Sequence, residues 1–165
     1  MDCTYALVLN NQFYPELQVN QAIKGGDLVW KQKFPWSGKV VLADEYSSTW
    51  IEDEMTPLFV NLAGSALVEA LESGKGNYPY FEMYGNVSVE IEDGLLTISG
   101  DFVPGKATFF AFEAIQSILA CGVRYVQLLE AIPFPEIFPK EDIEQLKECL
   151  ELLHSKLLQS GLQAN

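Results

Sequence analysis

The stretch Val87–Phe102, VSVEIEDGLLTISGDF, decides the fold because it carries its own register. Asp93-Gly94 at its centre is a two-residue turn whose members both tolerate positive φ, as a type I′ hairpin requires. Closing the chain there sets Glu92 opposite Leu95, Ile91 opposite Leu96, Glu90 opposite Thr97, Val89 opposite Ile98 and Ser88 opposite Ser99. Val87, Val89, Ile91, Leu96 and Ile98 then share one face. Ser88, Glu90, Glu92, Thr97 and Ser99 share the other, with Leu95 as the exception. A slip of one residue would turn the whole apolar set to water, so the register is strongly specified. The alternation runs backwards through Phe81, Met83 and Gly85. The hairpin is therefore predicted over about 80–103, with its first strand beginning near Tyr80.

Upstream, Ser73–Pro79 (SGKGNYP) reads as a loop from its Ser, Gly, Asn and Pro content. A helix is predicted over about 57–73, with Thr56 as N-cap and Pro57 at the first position, where its missing N–H costs nothing. Phe59, Leu62, Ala63, Ala66, Leu67, Ala70 and Leu71 recur at helical spacing, and Gly74 follows the end. Before it, Asp44–Glu54 is a connection or short strand with five carboxylates and no base. Cys3–Leu9 is apolar on both alternations, as an interior strand covered on both faces would be. Residues 10–26 are looser, with one short helical turn around Val19–Ile23. Leu28–Phe34 and Val40–Ala43 alternate around a turn at Pro35–Gly38, and Lys31, Lys33 and Lys39 read as edge-strand protection.

Downstream, about 106–121 reads as a helix that is apolar nearly all round, ended by Gly122. Val123–Ile132 then reads as another interior strand, an order that permits a right-handed parallel crossover. Pro133, Pro135 and Pro139 stiffen the link to a last helix over about 139–160. That helix buries Ile143, Leu146, Cys149, Leu150, Leu153 and Leu157. The expectation is a single α+β domain spanning 1–165. A mixed or antiparallel sheet with the central hairpin at its heart is packed by three helices, about 57–73, 106–121 and 139–160.

The net charge is −13, and it is concentrated. Residues 40–105 hold twelve acids against Lys75 alone. A phosphate backbone is held by Lys and Arg, and Arg124 is the one arginine, so nucleic acid is not the expected partner. No apolar run reaches the roughly 20 residues of a membrane span. The start, MDCTYALVLNN, lacks the basic n-region of a secretory signal. Cys3, Cys121 and Cys149 are odd in number and widely spaced, which points to a reducing cytoplasm rather than a disulfide framework.

No constellation for catalysis stands out. Gly100–Lys106 matches G-x-x-x-x-G-K between a predicted strand and a predicted helix. Ala107, however, replaces the Ser or Thr that holds magnesium, and Pro104 removes an N–H from a loop that works by donating them. The one histidine, His154, falls on the polar side of the last helix, with Cys149 on the buried side. Catalytic, cofactor-binding and metal-binding residues are accordingly none. The expected function is a small, non-enzymatic protein-binding module, of the kind that neutralises a basic partner as an immunity or antitoxin-like inhibitor does. Its partner-binding residues are Asp44, Glu45, Trp50, Glu52, Asp53, Glu54, Tyr80, Glu82, Tyr84, Glu90 and Glu92. Tyr mixed with Glu on one strand face has the composition of an interface. The alternatives are a metal-dependent hydrolase using the acidic cluster at 44–54, and a self-associating structural subunit.

Overall fold

A computed structural model describes residues 1–9, 11–25, 36–81, 84–132 and 139–164. The chain folds into two four-stranded antiparallel sheets packed with helices, an α+β architecture as expected, but with two sheets where the sequence suggested one. The first sheet is built from β1 (Asp2–Leu9), β2 (Gln12–Pro15), β3 (Ser37–Ala43) and β4 (Ser48–Glu54), in the order β2-β1-β3-β4. Helix α1 (Glu16–Gly25) follows β2. The second sheet is a meander of β5 (Lys75–Pro79), β6 (Asn86–Glu92), β7 (Leu95–Gly100) and β8 (Ala107–Phe110). Between the sheets in sequence run α2 (Met55–Asn61), one π-helical turn (Leu62–Ala66) and α3 (Leu67–Ser73) as a continuous helical stretch. Then α4 (Ala111–Ala131) and α5 (Lys140–Gln159) complete the chain. Both sheets and these helices contribute to one buried apolar cluster.

The hairpin forms in the register read from the sequence. Val89 lies opposite Ile98, Ile91 opposite Leu96 and Glu92 opposite Leu95. Asp93 and Gly94 take φ of 50° and 76°, both positive, as the type I′ turn demands. Val87, Val89, Leu96 and Ile98 are buried, while Ser88, Glu90, Thr97 and Ser99 line the outer face.

Several expectations are corrected. The strand does not begin near Tyr80: the chain makes β5 over Lys75–Pro79, reverses, and starts β6 at Asn86. The loop-like composition of SGKGNYP conceals an edge strand, with Pro79 at its end where no further ladder bond is needed. Gly76 is required there, because a Cβ would sit 1.9 Å from the Ala66 carbonyl oxygen of the helix beneath.

Residues 106–121 are not one helix, since Ala107–Phe110 forms β8 with Ala107 and Phe109 turned inward. Val123–Ile132 is not a strand: Val123–Ala131 continues α4, and no parallel pair exists among the described residues. Gly122 sits inside the helix because α5 approaches there; a Cβ on it would meet Leu150 Cδ2 at 2.6 Å. Finally, Thr56 is not a cap. The helix starts at Met55, whose N–H bonds the Trp36 carbonyl at 2.8 Å, and the buried Thr56 hydroxyl lies 3.4 Å from that of Tyr125.

Elsewhere the reading gains elements. The looser segment contains β2 and α1, and Asp44–Glu54 resolves into a turn and β4. Of Pro35–Gly38, Ser37 and Gly38 are strand rather than turn. The predicted strand Leu28–Phe34, with Lys31 and Lys33, and the link 133–138 lie outside the described residues. The last helix forms as expected, with Leu146, Leu150, Leu153 and Leu157 buried, but Ile143 and Cys149 at the edge of its apolar stripe are only half-buried; Gly74 caps α3 at φ 84°. No helix of the described residues is long and apolar enough to cross a membrane.

Tyr5 and Tyr125 meet edge to face at 5.6 Å between β1 and α4, and burial pushes both phenols well above their ordinary value. The folded chain thus holds these protons more tightly than the unfolded chain does. The stability they contribute is complete below about pH 10 and is lost as pH rises toward the raised values. In an alkaline titration read at the phenolate band, part of the tyrosine absorbance is expected to appear only together with loss of circular dichroism. Smooth ionisation of every tyrosine in a chain that stays folded would contradict the packing.

Candidate protein-binding surface

Asp53 organises the region where the two sheets meet. Alternation along β4 turns Glu52 out and Asp53 in, leaving Asp53 only 2% exposed. Its Oδ1 accepts the Glu54 N–H at 2.9 Å. Its Oδ2 accepts the Phe81 N–H at 2.7 Å and the Tyr78 hydroxyl. A buried carboxylate is tolerable only with such donors. The first sheet is thereby fastened to the β5–β6 loop of the second.

A second set of bonds ties that loop to the next. The Tyr80 hydroxyl donates to the Asp101 carbonyl at 2.6 Å. Asp101 Oδ2 accepts the Asn86 N–H at 3.0 Å, and the Asp101 N–H donates to the Asn86 carbonyl at 3.0 Å. The Tyr80 N–H closes its own loop on the Gly85 carbonyl at 3.2 Å. Tyr80 packs edge-on to Tyr78 at 5.4 Å and to Phe102 at 5.8 Å. Burial first, then the carboxylates of Asp53, Asp101 and Glu52, push the Tyr80 phenol up to about 12. At neutral pH it is a fixed hydroxyl donor and not a base.

Upon this braced base stand three exposed rings: Phe81 at 63% exposure, Tyr84 at 100% and Phe102 at 64%. Phe102 holds φ at 57°, a conformation that costs a bulky residue energy and clusters at functional sites. Phe81, whose N–H is held by Asp53, and Phe102, whose ring packs on Tyr80, are large apolar rings on a bonded backbone, of the kind a partner can cover.

The predicted site residues divide among separate places. Glu52, Asp53 and Tyr80 do converge here, with Asp53 and Tyr80 as buried braces, and Tyr84 follows in the same β5–β6 connection, fully exposed. Asp44 accepts the N–H groups of Tyr46 and Ser47 at 2.8 and 2.7 Å, shaping the β3–β4 turn beside Glu45. That turn lies at the other end of β4, about 20 Å or more away by strand rise. Trp50 lies mid-strand on the outer face, near the Lys39 ammonium, which also covers Phe13 at 4.5 Å. Glu54 stands at the head of α2. Glu90 pairs with Lys75 at 2.9 Å on the outer face of the second sheet, and Glu92 is exposed beside the hairpin turn. Glu82 lies outside the described residues.

Phe81, Asp101 and Phe102 were missed. Continuing the strand alternation back to Tyr80 turned Phe81 inward, and Asp101-Phe102 passed for the tail of β7. The signal against both was the pair Gly85 and Gly100, at φ 144° and 139°, each marking a break in a strand.

The other constellations are dispersed. The Gly100–Lys106 motif leads into β8, so no helix N-terminus stands behind it to receive phosphate. His154 is exposed on α5, while Cys3 and Cys121 are buried. The adjoining Cys121 thiol and burial push Cys3 well above its ordinary range. Among the described residues no three His, Cys, Asp or Glu side chains converge to hold a metal. Comparison with protein-family models, with curated proteins and with solved structures finds no match.

Proposed function

We propose that this chain is a non-enzymatic protein-binding module that docks a basic partner through the Phe81, Tyr84 and Phe102 apex. Neutralising that partner, as an antitoxin-like inhibitor does, is the role that fits such a surface. The observation that carries the reading is the three exposed rings on loops braced by Asp53 and Tyr80. Single exposed apolar residues are ordinary, but three on two mutually bonded loops form an anchor set. Charge supports the sign of the partner: the chain carries −13, with Glu52 and Asp101 beside the apex. Such a field accelerates encounter with a cationic protein, and salt removes the gain.

The apex offers a variant that separates binding from folding. Phe102→Gly removes a ring yet relieves the positive φ, so stability is expected to stay within about 1 kcal/mol of the wild type. Combined with Phe81→Ala and Tyr84→Ala, it is expected to weaken partner binding by about a hundredfold or more. The check is affinity capture at low salt with wild-type and triple-variant baits, followed by association kinetics across ionic strength. A partner retained equally by both baits, or one whose association rate ignores salt, would sink the proposal.

A further inference from the structure

We propose that the groove between α4 and α5 is a second docking surface, and that it takes a cationic amphipathic helix from a partner protein. The surface is independent of the apex and rests on different elements. Gly122 allows Leu150 of α5 to press against the backbone of α4. Outside that contact the helices leave two adjoining hollows of about 280 and 250 Å³, which share Val123, Leu150 and Glu151. The floor of the first is completed by Leu119 and Ala120, and that of the second by Val126. Val123, at 46% exposure, is an apolar side chain left in the open on an otherwise well-buried helix.

Length and charge select the occupant. From Leu119 to Glu130 the groove follows α4 for about 16 Å, or three helical turns. A docked helix places anchors at i, i+3 or i+4 and i+7 over roughly 10 Å, and the two hollows each suit a branched aliphatic side chain. The rim carries Glu151 where the hollows join and Glu130 at one end. Lys147, the one Lys or Arg among the lining residues, is engaged by Glu130 at 2.9 Å and Glu144 at 2.8 Å. Carboxylate is therefore in excess around an apolar floor. A helix with aliphatic anchors flanked by Lys or Arg is complementary, whereas an acidic helix is repelled.

The experiment titrates the isotopically labelled full chain with a synthetic peptide of roughly 14 residues, with leucine at helical i, i+3, i+4 and i+7 positions and lysine between. One control shuffles the leucines at equal composition, and a second replaces lysine by glutamate. Methyl shifts are expected at Val123, Val126 and Leu150, with the amides of Phe81, Tyr84 and Phe102 unmoved. Both control peptides should bind about tenfold more weakly or worse, and Val123→Lys should cost a similar factor. Glu151→Lys, an exposed rim change that keeps the fold, should weaken binding severalfold and serves if Val123→Lys fails to fold. Equal binding of either control, indifference to the variants, or shifts confined to the apex would overturn the assignment. A dimer in sedimentation that Val123→Lys dissociates would overturn it as well, assigning the groove to a second copy of the chain.

Discussion

Replacing Asp53 by alanine is expected to destabilise the protein by on the order of 3–5 kcal/mol and to loosen the apex selectively. The side chain is almost wholly buried and receives the Phe81 N–H, the Glu54 N–H and the Tyr78 hydroxyl. Deleting it removes charge-assisted bonds and strands donors where water has little access, each at a cost of about 1–3 kcal/mol. For a chain of this length the melting temperature should fall by on the order of 10 °C. Asp53→Asn keeps an acceptor on the same scaffold and should recover part of that loss. Thermal denaturation of both variants, with hydrogen exchange at residues 78–86, checks the result. An Asp53→Ala protein that melts with the wild type and protects Phe81 equally would show that the two sheets are joined by other means.

The second large effect belongs to the hairpin. Val89 is fully buried, opposite Ile98 on one side and Gly76 on the other. Val89→Asp places a carboxylate in the shared core and is expected to cost on the order of 4 kcal/mol, moderated by local opening. Its neighbour points the other way. Glu90 meets Lys75 in solvent, and each shifts the other's titration toward the charged form. Glu90→Lys should be nearly silent in stability, because solvent screens such an exposed pair. Chemical denaturation that ranks the two substitutions in the opposite order would mean that the register is wrong.

The contrast between these neighbours indicates what was legible in the sequence. Where one face is wet and the other dry, alternation determines register to the residue, as it does from Val87 to Ser99. Where both faces are covered, it loses meaning. Val123–Ile132 carries apolar residues on both alternations because α4 buries Tyr125, Val126, Leu128 and Leu129, and a mostly buried helix and a mostly buried strand share that pattern. A subtler clue lay in Val123, Gln127 and Glu130, which are exposed at helical spacing. Glycine misled in two ways. Gly122 passed for a helix terminator when it admits a neighbouring helix, and Gly76 for a loop when it admits a carbonyl.

The candidate site was half legible for a related reason. Its acidic and tyrosine members stand out in composition, and Glu52, Asp53 and Tyr80 do assemble. Which of them become braces and which contact surface depends on where the strand breaks. The break at Gly85 is a backbone event that periodicity does not register.

The order of strands in the two sheets has a kinetic consequence. β5 to β8 pair strictly with their successors, so the second sheet grows from short-range contacts. In the first, β1 must hold β2 on one edge and β3 on the other, and β3 arrives only after α1 and the chain beyond it. Closing the longer loop is entropically costlier, so the meander is expected to organise early and the first sheet late. Asp53 belongs to the late half, and the loops it braces belong to the early one. The apex is thus completed only when the slower half docks, and a partly folded chain lacks it. Pulsed hydrogen exchange during refolding should protect Val89 and Ile98 before Tyr5 and Val40. Simultaneous protection of all four would indicate that the two halves form together.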